Sequence, residues 1–492
     1  MDGITALLAR FPALYEAPGE VYLVGGAIRD MLLNRAVHDL DFAVDGDAIG
    51  VARRVADACG ADVYVLDAER QAARVLVPGE DPPFVLDFSR FRSPSIEGDL
   101  RGRDFSTNAM AVSIKAPEKL IDPCGGLTDT RDKLLRACSP TVFDDDPLRI
   151  LRGVRLAINL GFRLDPATLM LMKQAINGLD RVSCERLRDE LFLILEGKSP
   201  VSAVRVLDQL GILSKVFPEL AALHTISQTE PIQQTTWEHT LKVADYLQTL
   251  WAALVEPYNE EVGSHLVAGL AITQLGRFRA GLQNHFAQPL TYGRSRKGLL
   301  LLAALLHDVG KPAAMTTDTT GVHFYDHHLH GAPSARQIGE RLALSQAEVK
   351  YLESVVGSHM HIHFMARDVR NGAAVTRGKI YQYFKQMDDR GVDLVLLSLA
   401  DTLGANGIEL PIERWQQVIE ISRALLEAWF ERADEIVHPP RLVDGAELMA
   451  ALGLNPGPYV GELLAAIEQA QAEGLLHTKA EVLAFGKLHH HN

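Results

Sequence analysis

Apolar positions change rhythm along this chain. Before about residue 140, short β-like runs (Val21–Val24, Leu40–Val44, Asp62–Leu66, Arg74–Val77, Phe84–Phe88, Ala109–Ile114) alternate with helical patterns such as Ala48–Cys59. That alternation predicts a small α/β domain. Beyond Thr141 nearly every periodic segment is helical. The expected fold class is therefore α+β: a mixed-sheet head over 1–140, a helical neck over 141–224, an all-α unit over 237–430 and a short helical module over 438–488. A polar stretch, Thr225–Thr236, is expected to link neck to the next unit, and Pro439-Pro440 punctuates the chain before the last module. There, Asn455-Pro456-Gly457-Pro458 introduces a helical pattern over Val460–Ala472. Asp144-Asp145-Asp146-Pro147 reads as a helix start, with acids at the positive end of the dipole and proline in the first turn. The helix that follows sets Arg149, Arg152 and Arg155 in a stripe opposite Ile150, Leu151, Val154 and Ile158. By itself such a stripe is an ordinary solvated face.

Composition adds bounds. The 492 residues, 47% hydrophobic and 23% charged, suit a globular protein of several domains. No apolar run reaches the roughly 18–20 residues of a membrane span, and the expected location is cytoplasmic. The four cysteines are scattered without a C-x-x-C pair, so reduced thiols are expected rather than disulfides or zinc. A net charge of −14 argues against an indiscriminate nucleic-acid coat, so an RNA substrate would need a local basic surface. No DNA or membrane partner is expected.

Candidate chemistry concentrates in VYLVGGAIRDMLLNRAVHDLDFAV, residues 21–44. Asp39 and Asp41 stand two apart on a β-like run, so both carboxylates face one side. Mg²⁺ prefers such oxygen ligands together with substrate phosphates. Gly25-Gly26 opens a helical pattern and leaves its backbone N–H groups accessible to a phosphate. Together these suggest nucleotidyl transfer. Asp87, in Val-Leu-Asp-Phe, is a candidate third carboxylate, with an ordinary strand-face acid as the equal alternative.

Gly25-Gly26-x-x-Arg29-Asp30 followed by Asp39-x-Asp41 resembles the nucleotidyltransferases of the tRNA CCA-adding and bacterial poly(A) polymerase family. Further segments resemble that family's motifs in order: Arg103-Asp104 through Asn108-Ala109-Met110, Leu120 to Gly126, Asp145-Asp146-Pro147-Leu148-Arg149 with Arg152, and Glu185 to Glu190. The resemblance implies that Asp39 and Asp41 bind two Mg²⁺ ions and that Gly25, Gly26 and Arg29 cradle the triphosphate. Arg103, Asp104 and Asn108 would contact the nucleotide's sugar and phosphates. Asp145, Asp146, Arg149 and Arg152 would line a base-selecting edge for CTP and ATP. The implied partner is the 3′ end of tRNA.

A second cluster follows. Eighteen histidines are many for this length, and they concentrate between His224 and His363. The order His239, His307-Asp308, His330, His359, Asp401 resembles the HD phosphohydrolase superfamily. Imidazole with carboxylate suits Ni²⁺, Mn²⁺, Fe or Zn²⁺, and such an ion supports phosphoester hydrolysis by polarising a phosphoryl oxygen and acidifying bound water. Lys311 reads either as an offset to developing phosphate charge or, equally, as an ordinary solvated lysine. His327, His328, His361 and His363 are alternative ligands.

Two departures from the family pattern bear on specificity. Gly102 stands where the family usually has an arginine, and the segment Ser89–Glu97 is short for the loop that full CCA-adding members carry. The short segment resembles the CC-adding subgroup, so CC, A and full CCA addition all remain open. Poly(A) polymerase is disfavoured because the stretch after Pro440 carries more acids than bases. A chain that is chiefly an HD phosphohydrolase with a weakened head is the alternative from another class.

Overall fold

The computed structural model describes residues 2–79, 83–227, 234–258, 266–291, 293–319, 321–406 and 411–490. The chain divides into two compact units, residues 1–215 and 216–492.

The first unit is built on a mixed sheet of seven strands: β1 (Val21–Val24), β2 (Asp39–Val44), β3 (Asp62–Asp67), β4 (Ala72–Val77), β5 (Phe84–Arg90), β6 (Ala111–Ser113) and β7 (Ala116–Ile121). Their order is β3-β4-β5-β2-β1-β6-β7, and within this sheet only β2 and β5 pair in parallel. Helix α1 (Gly26–Leu32) follows β1, and α2 (Ala48–Cys59) follows β2. The second of these spans the predicted residues. Asp47 caps it by accepting the Gly50 N–H at 2.8 Å, and Gly60 ends it in the left-handed region. Its apolar residues Val51, Ala52 and Val55 pack with Phe42, Val75, Leu86 and Phe88 from the sheet. On the other face, α3 (Ile96–Arg101) brings Ile96 and Leu100 onto Val24, Ala43, Ala109 and Ala111. The rest of that face, on β2 to β3, keeps Asp39, Asp41, Arg74 and Tyr64 exposed.

Two local expectations need correction. The run Ala109–Ile114 forms a strand only over Ala111–Ser113, because Ser106–Asn108 is a 3₁₀ turn and Ala109 closes it. β7 was absent from the expected strands, since Pro117 and charged residues blur its pattern; as the terminal strand it tolerates both. The acidic run around Asp145 also does not open one continuous helix. Val142–Asp145 forms a short helix, Asp146 is extended (φ −150°, ψ 97°), and α4 (Arg149–Leu160) starts after Pro147. The residue before a proline is disfavoured in the α region, which breaks the helix at Asp146.

The second unit is helical. Helices α5 (Thr236–Leu254), α6 (Arg296–Leu306), α7 (His327–Arg341), α8 (Gln346–Ser358) and α9 (Arg390–Asn406) surround its polar centre. Every residue of α6 except Lys297 is buried, as expected of an apolar helix over Gly298–Leu306. At Gly310, just beyond α6, a Cβ would lie 2.1 Å from the His327 carbonyl and 2.4 Å from the Gly331 nitrogen. Only glycine lets the turn after Asp308 approach the first turn of α7 so closely. The last module packs α10 (Gly445–Leu452), α11 (Pro458–Glu473) and α12 (Lys479–His490) around Leu448, Leu463, Ile467 and Val482. The expected linker Thr225–Thr236 lies partly outside the described residues.

Candidate active site and candidate metal centre

Strand geometry presents Asp39 and Asp41 on the same exposed face of β2. Parallel pairing places Asp87 in register beside Asp41. Arg74 on β4 is in register with Asp87 from the other side and grips both its oxygens, Nε to Oδ1 and Nη2 to Oδ2, each at 2.8 Å. Asp87 is therefore next to the acid pair, but an arginine fork already holds it.

Gly25 explains how the acids meet the turn that opens α1. Its backbone has φ +79° and ψ −144°, and a Cβ there would come within 2.9 Å of Asp41 Oδ2. The glycine thus admits the carboxylate against the turn that opens α1, whose N-terminus carries no side-chain cap. Although Asp41 keeps an open surface, the protein crowded around it strips away part of its hydration and raises its pKa; Asp87 and Asp39 push the same way while Arg103 and Arg152 oppose. A cation is the natural counter-charge for carboxylates so placed.

A cleft of about 530 Å³ extends from Asp41 and is lined by Gly25, Gly26, Arg29, Arg103, Asp104, Asn108, Arg149 and Arg152. A polar chain runs along its wall. Buried Arg29 donates to Asp30 and to Asn108 Oδ1; Asn108 donates to Asp104 at 3.2 Å; Arg152 Nε bonds Asp104 at 2.7 Å. Arg103 is paired with buried Asp99 at 3.3 Å. Arg149 donates to the carbonyls of Val142 and Gly102, and Asp146 accepts from Arg186 at 2.7 Å. Asp145 lies apart, exposed and bonded to Thr141, on a larger open cavity of about 1320 Å³ that Asp146 and Arg149 also line. Arg155 of the arginine stripe and Arg186 of the Glu185–Glu190 segment also line the smaller cleft, and Arg92 joins them without a signal in the sequence. Arginines outnumber acids there, so this cleft is more basic than a chain of net charge −14 is on average.

In the second unit, imidazoles and carboxylates converge. Nε2 of His239 lies 3.0 Å from Asp401 and 3.3 Å from Nε2 of His307. His307 Nε2 lies 3.2 Å from Asp308 Oδ2, and His327 Nε2 lies 3.2 Å from Asp308 Oδ1 and 3.1 Å from His359 Nε2. Three of these rings turn Nδ1 to the carbonyl three residues back: Ala304, Phe324 and Val356, at 2.7, 2.9 and 2.8 Å. Donation there leaves each Nε2 lone pair aimed inward, the second-shell arrangement of metal-bound histidine. The buried Nδ1 of His239 finds no hydrogen-bond partner among the described residues.

The electrostatics match. Burial raises the Asp308 pKa, but His307 and Lys311 more than offset it and hold the carboxyl well below its usual range. Asp401 is held low in the same way, by His363 and His239. Burial, with His307 and His327, keeps His359 neutral. Burial lowers the His307 pKa, yet Asp308 outweighs it and the net shift is upward. Positive charge is favoured at this point of the cluster, and a bound cation would supply it. The donors form two groups that share Asp308: His239, His307, Asp308 and Asp308, His327, His359. Such a set fits a transition metal.

His330 is not part of this cluster: it is exposed on α7, and His327, one turn earlier, supplies the converging ring. His363 holds Asp401 Oδ2 at 2.8 Å, whereas His328 and His361 are in neither donor group. Lys311 bonds Asp308 at 2.7 Å. The pairing of Arg74 with Asp87 left no signal in the spacing, because it depends on strand register.

Comparison with known proteins agrees along the whole length. Residues 21–136 match the poly A polymerase head domain, 161–223 the probable RNA- and SrmB-binding site of polymerase A, 236–406 the HD domain and 402–485 the putative tRNA nucleotidyltransferase domain 2. An A-adding tRNA nucleotidyltransferase of Deinococcus radiodurans is 31% identical over 97% of this chain and 98% of its own length. A CC-adding tRNA nucleotidyltransferase of Thermus thermophilus is 30% identical over 96% and 94%. A Thermotoga maritima CCA-adding enzyme solved with tRNA shares the fold, with TM-score 0.59 and 22% identity over 100% of this chain and 95% of that one. With this site geometry in place, the full-length likeness settles kinship: the chain belongs to the tRNA nucleotidyltransferase family.

Proposed function

We propose that this enzyme adds C, A or both to the 3′ end of tRNA from CTP or ATP, at the cleft that begins at Asp41. The observation that carries the reading is the fit of Asp41 against Gly25, which joins the acid pair to an uncapped helix N-terminus in an arginine-lined cleft. Asp39 and Asp41 are the residues that would hold Mg²⁺, which when bound neutralises triphosphate charge and lowers the pKa of the attacking hydroxyl. Gly25 and Gly26 offer unobstructed backbone to the triphosphate, and Arg103 and Arg152 supply positive charge beside it. Arg29, through Asn108 and Asp104, fixes the wall against which the sugar sits. Asp145, Asp146 and Arg149 form a base-reading edge: carboxylates accept from the exocyclic amine of C or A, and the guanidinium donates a planar fork.

The connection from β5 to α3 favours partial rather than full CCA addition. It comprises only residues 91–95, where the Arg92 N–H donates to Asp99 at 2.9 Å and Ser95 caps the helix. A segment so short and fastened has no slack for a large rearrangement between C and A addition.

The second unit supports a metal-dependent phosphohydrolase centre held by His239, His307, Asp308, His327, His359 and Asp401. A metal there would polarise a phosphoryl oxygen and activate water, and Lys311 would lie beside the developing charge.

The test is extension of tRNA transcripts lacking CCA, lacking only the final A, or complete, with labelled CTP or ATP. Addition of CC alone to the first, or of A alone to the second, is the expected result. Complete CCA synthesis would overturn the reading of partial addition, and open-ended A tails on unrelated RNA would overturn the proposal itself.

A further inference from the structure

The acid pair belongs to a wider pattern that runs across four strands. Register places Tyr64, Arg74, Asp87 and Asp41 in one transverse row, and Asp62, Leu76, Val85 and Asp39 in the next. Residues in register across neighbouring strands project from one face, so the catalytic acids share their surface with Tyr64 and Leu76. Both are exposed, Tyr64 at 48% and Leu76 at 38%. An aromatic ring and a leucine left open beside a site of charged chemistry call for a partner. Three strand spacings of about 4.8 Å put Tyr64 about 14 Å from Asp41. That is the reach of a few stacked nucleotides, at about 3.4 Å each.

The cleft assigned to the nucleoside triphosphate runs from Asp41 toward Gly25, Arg103 and Arg149 and reaches Ser89 and Arg92 at the end of β5, and the larger cavity touches these strands only at their ends, at Asp67, Ala72, Ser89 and Arg90. Neither is lined by Tyr64, Arg74, Leu76 or Asp87, so the middle of the sheet face over β5, β4 and β3 is left for an RNA end attacking at Asp41. Charge on the sheet suits bases rather than phosphates: Asp39, Asp62 and the neutralised Arg74–Asp87 pair repel or ignore phosphate, while the cavity at the ends of the same strands mixes Arg70, Arg90 and Arg92 with Asp45, Asp67 and Glu69. The edge is poorly suited to an added strand, because β3 is irregular between Val65 and Asp67 and begins and ends on aspartate.

We propose that the exposed face of β3 and β4, centred on Tyr64 and Leu76, seats the bases immediately preceding the reacting 3′ end of the RNA, with Tyr64 stacking on one of them. Sheet-borne aromatics bind single-stranded bases in this way. The inference rests on the assignment of Asp41 to the reacting end, and its test separates the two.

The fluorescent base 2-aminopurine, quenched by stacking, is placed in turn at each of the four positions preceding the 3′-terminal nucleotide of a tRNA transcript. The transcript is titrated with full-length protein carrying Asp41→Ala to prevent turnover. Quenching is expected with Tyr64 or Tyr64→Phe and lost with Tyr64→Ala. In the otherwise unaltered enzyme, Tyr64→Ala should raise KM for tRNA about tenfold, leave KM for the nucleotide unchanged, and be rescued by Tyr64→Phe; Leu76→Ala should act in the same direction. Unchanged quenching and unchanged KM for tRNA in Tyr64→Ala would overturn the proposal. So would a loss of dimers on Tyr64→Ala with RNA binding intact, which would assign the face to a second copy of the chain. If the Asp41→Ala protein extended RNA normally, the active-site assignment would fail, while the quenching would still judge Tyr64.

Discussion

Gly25 shows how much a single backbone angle controls. Its φ of +79° lies where L side chains are strained, and the space a methyl would need is taken by Asp41 Oδ2. Gly25→Ala should therefore cost about 1–3 kcal/mol of stability from strain. Its larger effect should be to shift the acid, lowering the extension rate about 100-fold, the scale of a small misplacement of a reacting group. Single-turnover extension together with a thermal melt reads both. A well-folded variant at near-normal rate would mean that Asp41 does not need its place against the turn. The pair of acids and the two glycines were legible in the sequence because spacing along a strand and the demands of a tight turn are local properties. What holds Asp87 was not legible: Arg74 is thirteen residues away and meets it only through the β4–β5 register.

At the scale of the element, helix α7 decides which histidine enters the metal centre. His327 and His330 stand three apart and share a helical face, so spacing alone cannot choose between them. The choice falls to packing: Gly310 and Gly331 draw the first turn of α7 onto the loop after α6, and His327 Nε2 meets Asp308 while His330 stays in solvent. His327→Ala should weaken binding of Mn²⁺ or Ni²⁺, measured by calorimetry, at least about 100-fold, the upper end of what loss of even a supporting residue costs. His330→Ala should leave it unchanged. The reverse result would return His330 to the centre. The interrupted helix at Asp146 follows the same division of causes. Its acids and proline were visible, but the extended Asp146 also answers to Arg186, forty residues on.

Over the whole molecule, two compact units carry two separate constellations, one of carboxylates with arginines and one of histidines with aspartates. Asp308→Ala should remove metal from the second and abolish metal-dependent phosphatase activity while tRNA extension persists at its usual rate. Metal analysis and paired assays on the same preparation check this, and a parallel loss of extension would show that the units do not act independently. Among the described residues no helix is long and apolar enough to cross a membrane, which agrees with the short apolar runs of the sequence. From the sequence by itself came the change from mixed strand and helix to all helix, the acid pair on one face and the glycine turn, since these follow from periodicity and backbone preference over a few residues; the His-Asp order was legible through its resemblance to the HD superfamily. Only the tertiary structure chose His327, clamped Asp87 with Arg74, and linked Arg29 to Arg152 through Asn108 and Asp104. It likewise brought together the thiols of Cys124 and Cys138, whose hydrogen bond lowers the first to about 7 and raises the second. Those contacts join residues far apart in the chain, and their partners are selected by strand register and close packing, quantities that no local pattern carries.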